Sequence, residues 1–346
     1  MKVPKGFGFS IAFIGFLVIV SIFADFLSAN HPSSQKLDQF FVPPSPIHFF
    51  EEDGTFHVRP FIYQRELTDP LDVVYGEIKD KIYPLDFFYK GHPYKLFGLI
   101  SLDRHLIGRS QEPFYYPLGA DELGRDVLAK VLAGTRTSLL VVLFGMVVYA
   151  VLGVTIGAVA GLMGGWIDSV LMRFSEFVLA LPVLYLVLAL RALLPMSVPF
   201  WQSLFLTITI IAAVTWPPMA RGIRGLILQL KNSTFVEAAR SLGGRPIHIF
   251  RHHLFPSLLP FTMTQTAVAA PIFLLGEIIL AFLNVGFQDS GESWGSMLRS
   301  LKDARIITDF WWNLLPLVMV FLTLLCLNLL STRLRSREPN DQIMRI

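Results

Sequence analysis

The sequence has almost no cysteine and little charge. Its single cysteine, Cys326, lies inside an apolar run. A disulfide within the chain is therefore excluded, as is a Cys/His metal cluster. Cys326 reads as a small packing residue. Asp, Glu, Lys and Arg make up 16% of the 346 residues, against about 25% in an ordinary soluble domain. No Gly-x-x-x-x-Gly-Lys-Ser/Thr loop is present, so the chain lacks that means of holding ATP. The net charge is only +3 and gives no reason to expect a nucleic-acid partner.

Apolar residues are abundant. They form 53% of the chain, and the mean hydropathy is +0.56. This is the composition of an integral membrane protein. A helix of about 20 apolar residues crosses a bilayer core. Runs free of Asp, Glu, Lys and Arg cover 6–24, 137–167, 192–220, 254–276 and 310–332, and 177–190 adds a shorter one. They predict six spans, roughly 7–28, 138–162, 176–196, 203–221, 260–286 and 310–331. Lys2 and Lys5 precede the first, which could also suit a signal peptide. Its length and the poor cleavage site at Leu27-Ser28-Ala29 favour an uncleaved anchor.

Basic residues in short loops mark the cytoplasmic side. The loop 221–253 carries Arg221, Arg224, Lys231, Arg240, Arg245 and Arg251 against one acid, Glu237. Arg333, Arg335, Arg337 and Arg345 follow the last span. Six spans put this loop and both termini on one side, which is expected to be the cytoplasm. The segment 30–136 and the loop 287–309 then lie outside.

The outer segment is rich in Pro and aromatics and carries charges of both signs. The stretches 56–63 and 94–100 have strand-like composition. A small β-containing subdomain is expected there, either packed over the helix ends or acting as a lid or docking site. It is followed by Gly119, Asp121, Gly124, Arg125 and Asp126 in close succession. Asp121 suits the N-cap of a helix beginning at Glu122. Such a cap explains Asp121 without chemistry, but explains Gly124, Arg125 and Asp126 less well.

Gly153, Gly157 and Gly161 fall on one helical face. That spacing lets helices approach closely in lipid, within the chain or with a partner subunit. Pro182, Pro217 and Pro218 are expected to kink or end the third and fourth spans. Glu277 lies inside the fifth. An acid there is costly unless paired, solvated or neutral. It either lines a solute pathway or braces the bundle or a gate.

The basic island 235–256 reads as two short helices. Glu237 sits in the first turn, where the helix dipole favours an acid, and Arg240 is spaced to pair with it. Ala238 and Ala239 make a small, smooth surface. Gly243 can take positive φ and end the helix. Pro246 suits the start of a second helix, and Pro256 is expected to break the chain before the fifth span. Docking on a cytoplasmic partner and binding of anionic lipid both suit this composition.

The island resembles the Glu-Ala-Ala loop of binding-protein-dependent ABC importer permeases, with Glu237, Ala238, Ala239, Gly243 and Pro256 at the motif positions. The stretch 118–126 resembles the Leu-Gly-Thr-Asp-x-x-Gly-Arg-Asp signature of the C-type subunits of dipeptide and oligopeptide permeases, with Ala120 in place of Thr. Gly164 to Asp168, Glu277 to Gly286 and Ser293-Trp294-Gly295 also look like that family. The resemblance implies an all-α type I importer permease fold of six transmembrane helices. The expected divisions are an anchor at 1–29, an external insertion at 30–116, a five-helix permease core at 117–335 and a cytoplasmic tail at 336–346. The core would carry a cytoplasmic coupling loop at 222–256. Glu237 to Gly243 and Pro256 would couple to an ATPase, and no residue of the chain would be catalytic.

The family likeness further implies a second permease subunit, two ATPase subunits or domains and an external solute-binding protein. ATP and Mg would bind on those partners, and no cofactor on this chain. Two rivals remain at this stage. One is a secondary transporter without an ATPase, which would need inverted repeats and ion-binding groups near the midplane. The other is a membrane-anchored enzyme with external chemistry. The histidines of 30–136 have no metal-motif spacing, which speaks against it.

Overall fold

The computed structural model describes residues 6–96, 99–193, 199–283 and 292–337. The chain opens with an apolar helix, α1 (Gly6–Ile22), and a short α2 (Ala24–Leu27). Five strands follow: β1 (His48–Phe50), β2 (Phe56–Asp69), β3 (Val74–Pro84), β4 (Asp86–Leu96) and β5 (Ile100–Gly108). The long α3 (Val127–Met163) leads to α4 (Gly165–Ala180), α5 (Val183–Ala192), α6 (Phe200–Thr215) and α7 (Pro217–Leu230). Next come α8 (Thr234–Ser241), α9 (Pro246–Ile249) and α10 (Phe255–Phe282). The chain closes with α11 (Trp294–Met297), α12 (Ala304–Asp309) and α13 (Leu315–Arg337).

Among the described residues, three helices are long and apolar enough to cross a membrane: Val127–Met163, Ile247–Phe282 and Trp311–Arg335. The pair α6 and α7 makes a fourth if its 51° bend lies within one span. The bend falls at Pro217 and Pro218, where it is expected: proline removes an N–H and pushes on the preceding turn. A second break, at Leu181-Pro182, separates α4 from α5. The expected count of six requires counting α1, which is apolar but shorter, and the broken α4–α5 stretch. The stretch 194–198 and the end of the fifth expected span, 284–286, fall outside the described residues.

The contacts gather into two units. One comprises Met1–Phe13, Leu140–Leu280 and Thr323–Ile346; the other comprises Ile14–Leu139 and Ala281–Leu322. In the first, the glycine stripe of α3 lies against α7. A Cβ on Gly161 would stand 2.9 Å from Ile227, and Gly153 and Gly157 are equally closed by Met219 and Ala220. The stripe is thus a packing seam within this chain. The buried core of this unit includes Met219, Ile223, Ile227, Leu258 and Phe273.

In the second unit the outer segment is β-structured, as its composition predicts. The strands β1, β2 and β3 form an antiparallel sheet in that order, and β4 pairs with β5. The β1–β2 register shifts between His48 and Phe50, and the stretch of β2 between their partners holds Pro60, which has no N–H to offer. Ile62, Leu85, Tyr115 and Ala29 bury together beneath the strands. His105 ties the hairpin to the end of the first helical segment: its Nδ1 lies 2.8 Å from the Asp25 carbonyl and its Nε2 2.9 Å from the His92 carbonyl.

Two local expectations are corrected. No helix begins at Glu122, and Asp121 caps none. Helix α3 starts at Val127, and Asp126 Oδ1 accepts from the N–H groups of Leu128 and Ala129 at 2.9 and 3.2 Å. The chain first closes a tight loop at Gly124, whose φ of +67° is not helical. Nor does Pro256 break the chain. It lies in the first turn of α10, behind a π-helical turn at Phe250–Leu254. There the Phe255 N–H donates to the Phe250 carbonyl. This wider turn accommodates the proline ring without ending the helix.

Candidate functional site

The predicted site residues fall into separate groups, each built locally. The first is the basic island. Helix α8 begins after Ser233, whose carbonyl accepts from the N–H groups of Val236 and Glu237, both at 3.0 Å. It ends at Gly243, which has φ +81°. The Gly244 N–H then reaches back to the Ala239 carbonyl at 3.0 Å. That long return bond is the Schellman closure, and it requires a left-handed residue at Gly243. Gly244 is held for a different reason: a Cβ there would meet the Ala239 carbonyl oxygen at 2.7 Å.

Val236, Ile249 and Leu254 bury together under the island. They pack α8, α9 and the π turn into one block with its own small core. The opposite surface is open. Glu237, Ala238 and Pro256 are exposed, as are Leu242 at 89% and Ile247 at 72%. The side chain of Arg240 lies outside the described residues, so its expected pairing with Glu237 does too. The island is therefore a block with its own small core, which presents Glu237, Ala238, Leu242 and Ile247 outward together with the basic Arg245 and Arg251.

The second group gathers Gly119, Asp121, Gly124, Arg125 and Asp126, all of which were singled out from the sequence. Asp121 Oδ1 accepts from the N–H groups of Leu123 and Arg125 at 2.9 and 3.0 Å. Its Oδ2 takes Arg125 Nε at 2.9 Å and Lys130 Nζ at 2.7 Å. Glu292 completes the knot, with Oε1 3.1 Å from Arg125 Nη1 and Oε2 3.5 Å from Lys130 Nζ. Two acids and two bases thus neutralise one another. Burial opposes the charge on Asp121, but Lys130 and Arg125 outweigh it and lower its pKa.

Among the described residues, the groups that act on Asp126 are hydrogen-bond donors and Asp121, with no cation among them. Burial raises the Asp126 pKa to about 6, against the lowering effect of its hydrogen bonds from Asn30, Ala129 and Leu128. Asn30 Nδ2 donates to Oδ2 at 2.8 Å. Gly124 backs directly onto the Lys36 carbonyl, where no Cβ fits. Gly119 packs against Trp312, whose Nε1 donates to the Ala120 carbonyl at 2.9 Å. A cavity of about 620 Å³ opens beside Asp121, Arg125, Lys130 and Glu292.

Lys130, Glu292 and Asn30 were not selected from the sequence. Lys130 is one of two charges, with Arg136, near the start of an otherwise apolar helix, and Glu292 adjoins the Ser293-Trp294-Gly295 motif. Those are the signals that could have found them. Among the described residues, no group of His, Cys, Asp and Glu could hold a metal ion.

Glu277 is 1% exposed, within α10. Asp168, in the motif that opens α4, forms a two-point ion pair with Arg224 of α7: Nε to Oδ1 at 2.5 Å and Nη2 to Oδ2 at 2.6 Å. This pair fixes the turn at Gly164 and Gly165 against α7.

The chain is similar to known proteins over part of its length, and the matched family region holds the island, Asp168 and Glu277. The family model described as "Binding-protein-dependent transport system inner membrane component" matches residues 153–337. The oligopeptide transport system permease protein OppC of Haemophilus influenzae is 34% identical over 229 residues, covering 66% of this chain and 71% of its own. The dipeptide transport system permease protein DppC of Bacillus subtilis is 35% identical over 221 residues, covering 63% and 66%. The glutathione transport system permease protein GsiD of Pectobacterium atrosepticum is 30% identical over 243 residues, covering 70% and 77%.

Proposed function

The chain belongs to the family of binding-protein-dependent transport system inner membrane components, and from that premise we propose that it is a permease subunit of an ATP-driven importer of peptides or related small solutes. The family is a non-catalytic transport component of the inner membrane. An ATPase-independent secondary transporter and an anchored enzyme are accordingly set aside. The observation that carries the reading is the exposed block around Glu237. It has a small buried core beneath, is exposed above, and belongs to a chain without a P-loop.

In this reading the block is a coupling element. It seats on one of two ATPase subunits or domains, where ATP and Mg are bound. Closure of the ATPases moves the block, and the spans open outward to receive solute from an external binding protein. Hydrolysis resets them. A second permease subunit completes the pathway. Glu237, Ala238, Gly243 and Pro256 would form the docking surface, with Ala239 supporting it from the block's core and Arg240 the further residue of the coupling motif. Gly119, Asp121, Gly124, Arg125 and Asp126 hold the entry to α3. Burial of Glu277 within α10 favours a bracing or gating role.

Six spans, with both termini and the loop 222–256 in the cytoplasm, agree with the placement of Lys and Arg. The divisions at 1–29, 30–116, 117–335 and 336–346 follow from that topology. Uptake into proteoliposomes tests the reading. Transport should need this chain, the second permease, the ATPases, the binding protein and ATP. Uptake by this chain alone would overturn it.

A further inference from the structure

Two adjacent phenylalanines of β4 both face outward. Phe87 is 59% exposed and Phe88 56%. Side chains of a regular strand alternate between faces, so this pairing needs a local departure. Phe88 supplies it, with φ +51°. A left-handed backbone is costly for a residue with a Cβ, and such strain gathers at functional places. The Phe88 ring lies 6.1 Å from Phe26 of α2. Phe23, at the head of α2, is 42% exposed, and Phe16 and Ile19 of α1 are 56% and 58% exposed. The hairpin thus adds two aromatic rings at the end of an apolar helix.

A basic pair stands beside the rings. Lys90 and Arg104 face each other across β4 and β5, and both are exposed. Arg104 Nη1 donates to the Phe88 carbonyl at 3.0 Å. Lys90 has only a 3.4 Å contact with Asp103. Aromatic rings at headgroup depth, with cations beside lipid phosphates, are the composition of a bilayer interface.

We propose that the β4–β5 hairpin rests on the outer leaflet, with Phe87 and Phe88 inserted at headgroup level and Lys90 and Arg104 against anionic lipid. It would fix the insertion to the membrane beside the first span. The inference rests on the reading of α1 as a membrane span.

The test uses the full importer complex in vesicles containing phosphatidylglycerol and brominated lipid. In a Cys326→Ser background, single cysteines at Phe16, Phe88 and Asp72 carry a fluorescent label. Phe16 reports on α1, and Asp72 lies on the acidic β2–β3 turn. The label at Phe88 should be quenched by bromolipid about twofold or more over that at Asp72, and shielded from aqueous iodide, as interfacial burial requires. If Phe16 is quenched by lipid and Phe88 by iodide alone, the hairpin stands in water and the inference falls. If Phe88 is shielded from both quenchers, a protein covers it and the inference also falls. If neither Phe16 nor Phe88 is quenched by lipid, the reading of α1 falls with it.

Discussion

Lys130 Nζ lies 2.7 Å from Asp121 Oδ2, and both residues are at least 95% buried, with relative exposures of 4% and 5%. The pair joins a loop to the first turn of α3. Removing one member leaves the four-charge knot with Arg125 and Glu292 unbalanced by one buried charge. We predict that Lys130→Met or Asp121→Asn destabilises the protein by about 3–5 kcal/mol. The double variant should cost less than the sum of the two. Thermal unfolding of the purified protein in a double-mutant cycle measures this. Additive losses would show that the pair is not coupled.

Asp126 should make stability depend on pH. Its pKa rises from 3.8 to about 6 on folding. A raised pKa means the folded state holds its proton more tightly. The associated stabilisation is full below about pH 4 and is lost as pH rises through about 6. At about 1.4 kcal/mol per unit it is on the order of 3 kcal/mol. Asp121 has the opposite sign, and its loss falls below pH 4, outside this window. We predict that the wild-type protein gains unfolding temperature relative to Asp126→Asn as pH falls from 7 to 5. A constant difference across that range would contradict the assignment.

Much of the helical plan was legible from local pattern. Apolar runs located α1, α3, α6, α10 and α13, Pro217 and Pro218 the bend, and Gly243 the end of α8, whereas the third expected span, 176–196, falls across the break at Leu181-Pro182. Composition pointed to strands at 56–63. What escaped depends on distant partners. Arg125 and Glu292 meet across 167 positions, and no periodicity announces such a pair. Asp121 misled for a related reason. An acid before a helix caps it only if the chain enters the helix at once, and Gly124 turns it aside first. Pro256 misled because a π turn can absorb a proline that an α turn rejects.

Gly243 needs its left-handed backbone more than it needs space, since nothing lies within 4 Å of a Cβ built on it. Gly243→Val should therefore strain α8 by about 1–2 kcal/mol and tilt the island without emptying the membrane of protein. We predict loss of ATP-driven uptake with normal membrane levels. Gly243→Asn should retain more transport, because Asn tolerates that conformation. Equal loss in both variants would point to a direct contact at this position instead.

The seam between α3 and α7 should be intolerant of bulk. Gly157→Leu would drive a side chain into Ala220 and Ile223. We predict a sharp fall in folded protein, seen as loss of the monodisperse species on size exclusion. Gly225→Ala on α7, with no atom within 4 Å, should instead stabilise by about 0.5–1 kcal/mol through helix propensity. Similar behaviour in the two variants would contradict the seam.

The central claim is that the island transmits force from an ATPase, and a reversible cross-link tests it most directly. The exposed Ala238 is replaced by cysteine in a Cys326→Ser background, and the assembled complex is oxidised against cysteines on the ATPase surface. The account predicts a mixed disulfide with the ATPase. ATP-driven uptake should stop while it is intact and return on reduction. If the thiol introduced by Ala238→Cys remains freely reactive to a membrane-impermeant maleimide in the assembled, transporting complex, the island does not dock there, and the account is contradicted.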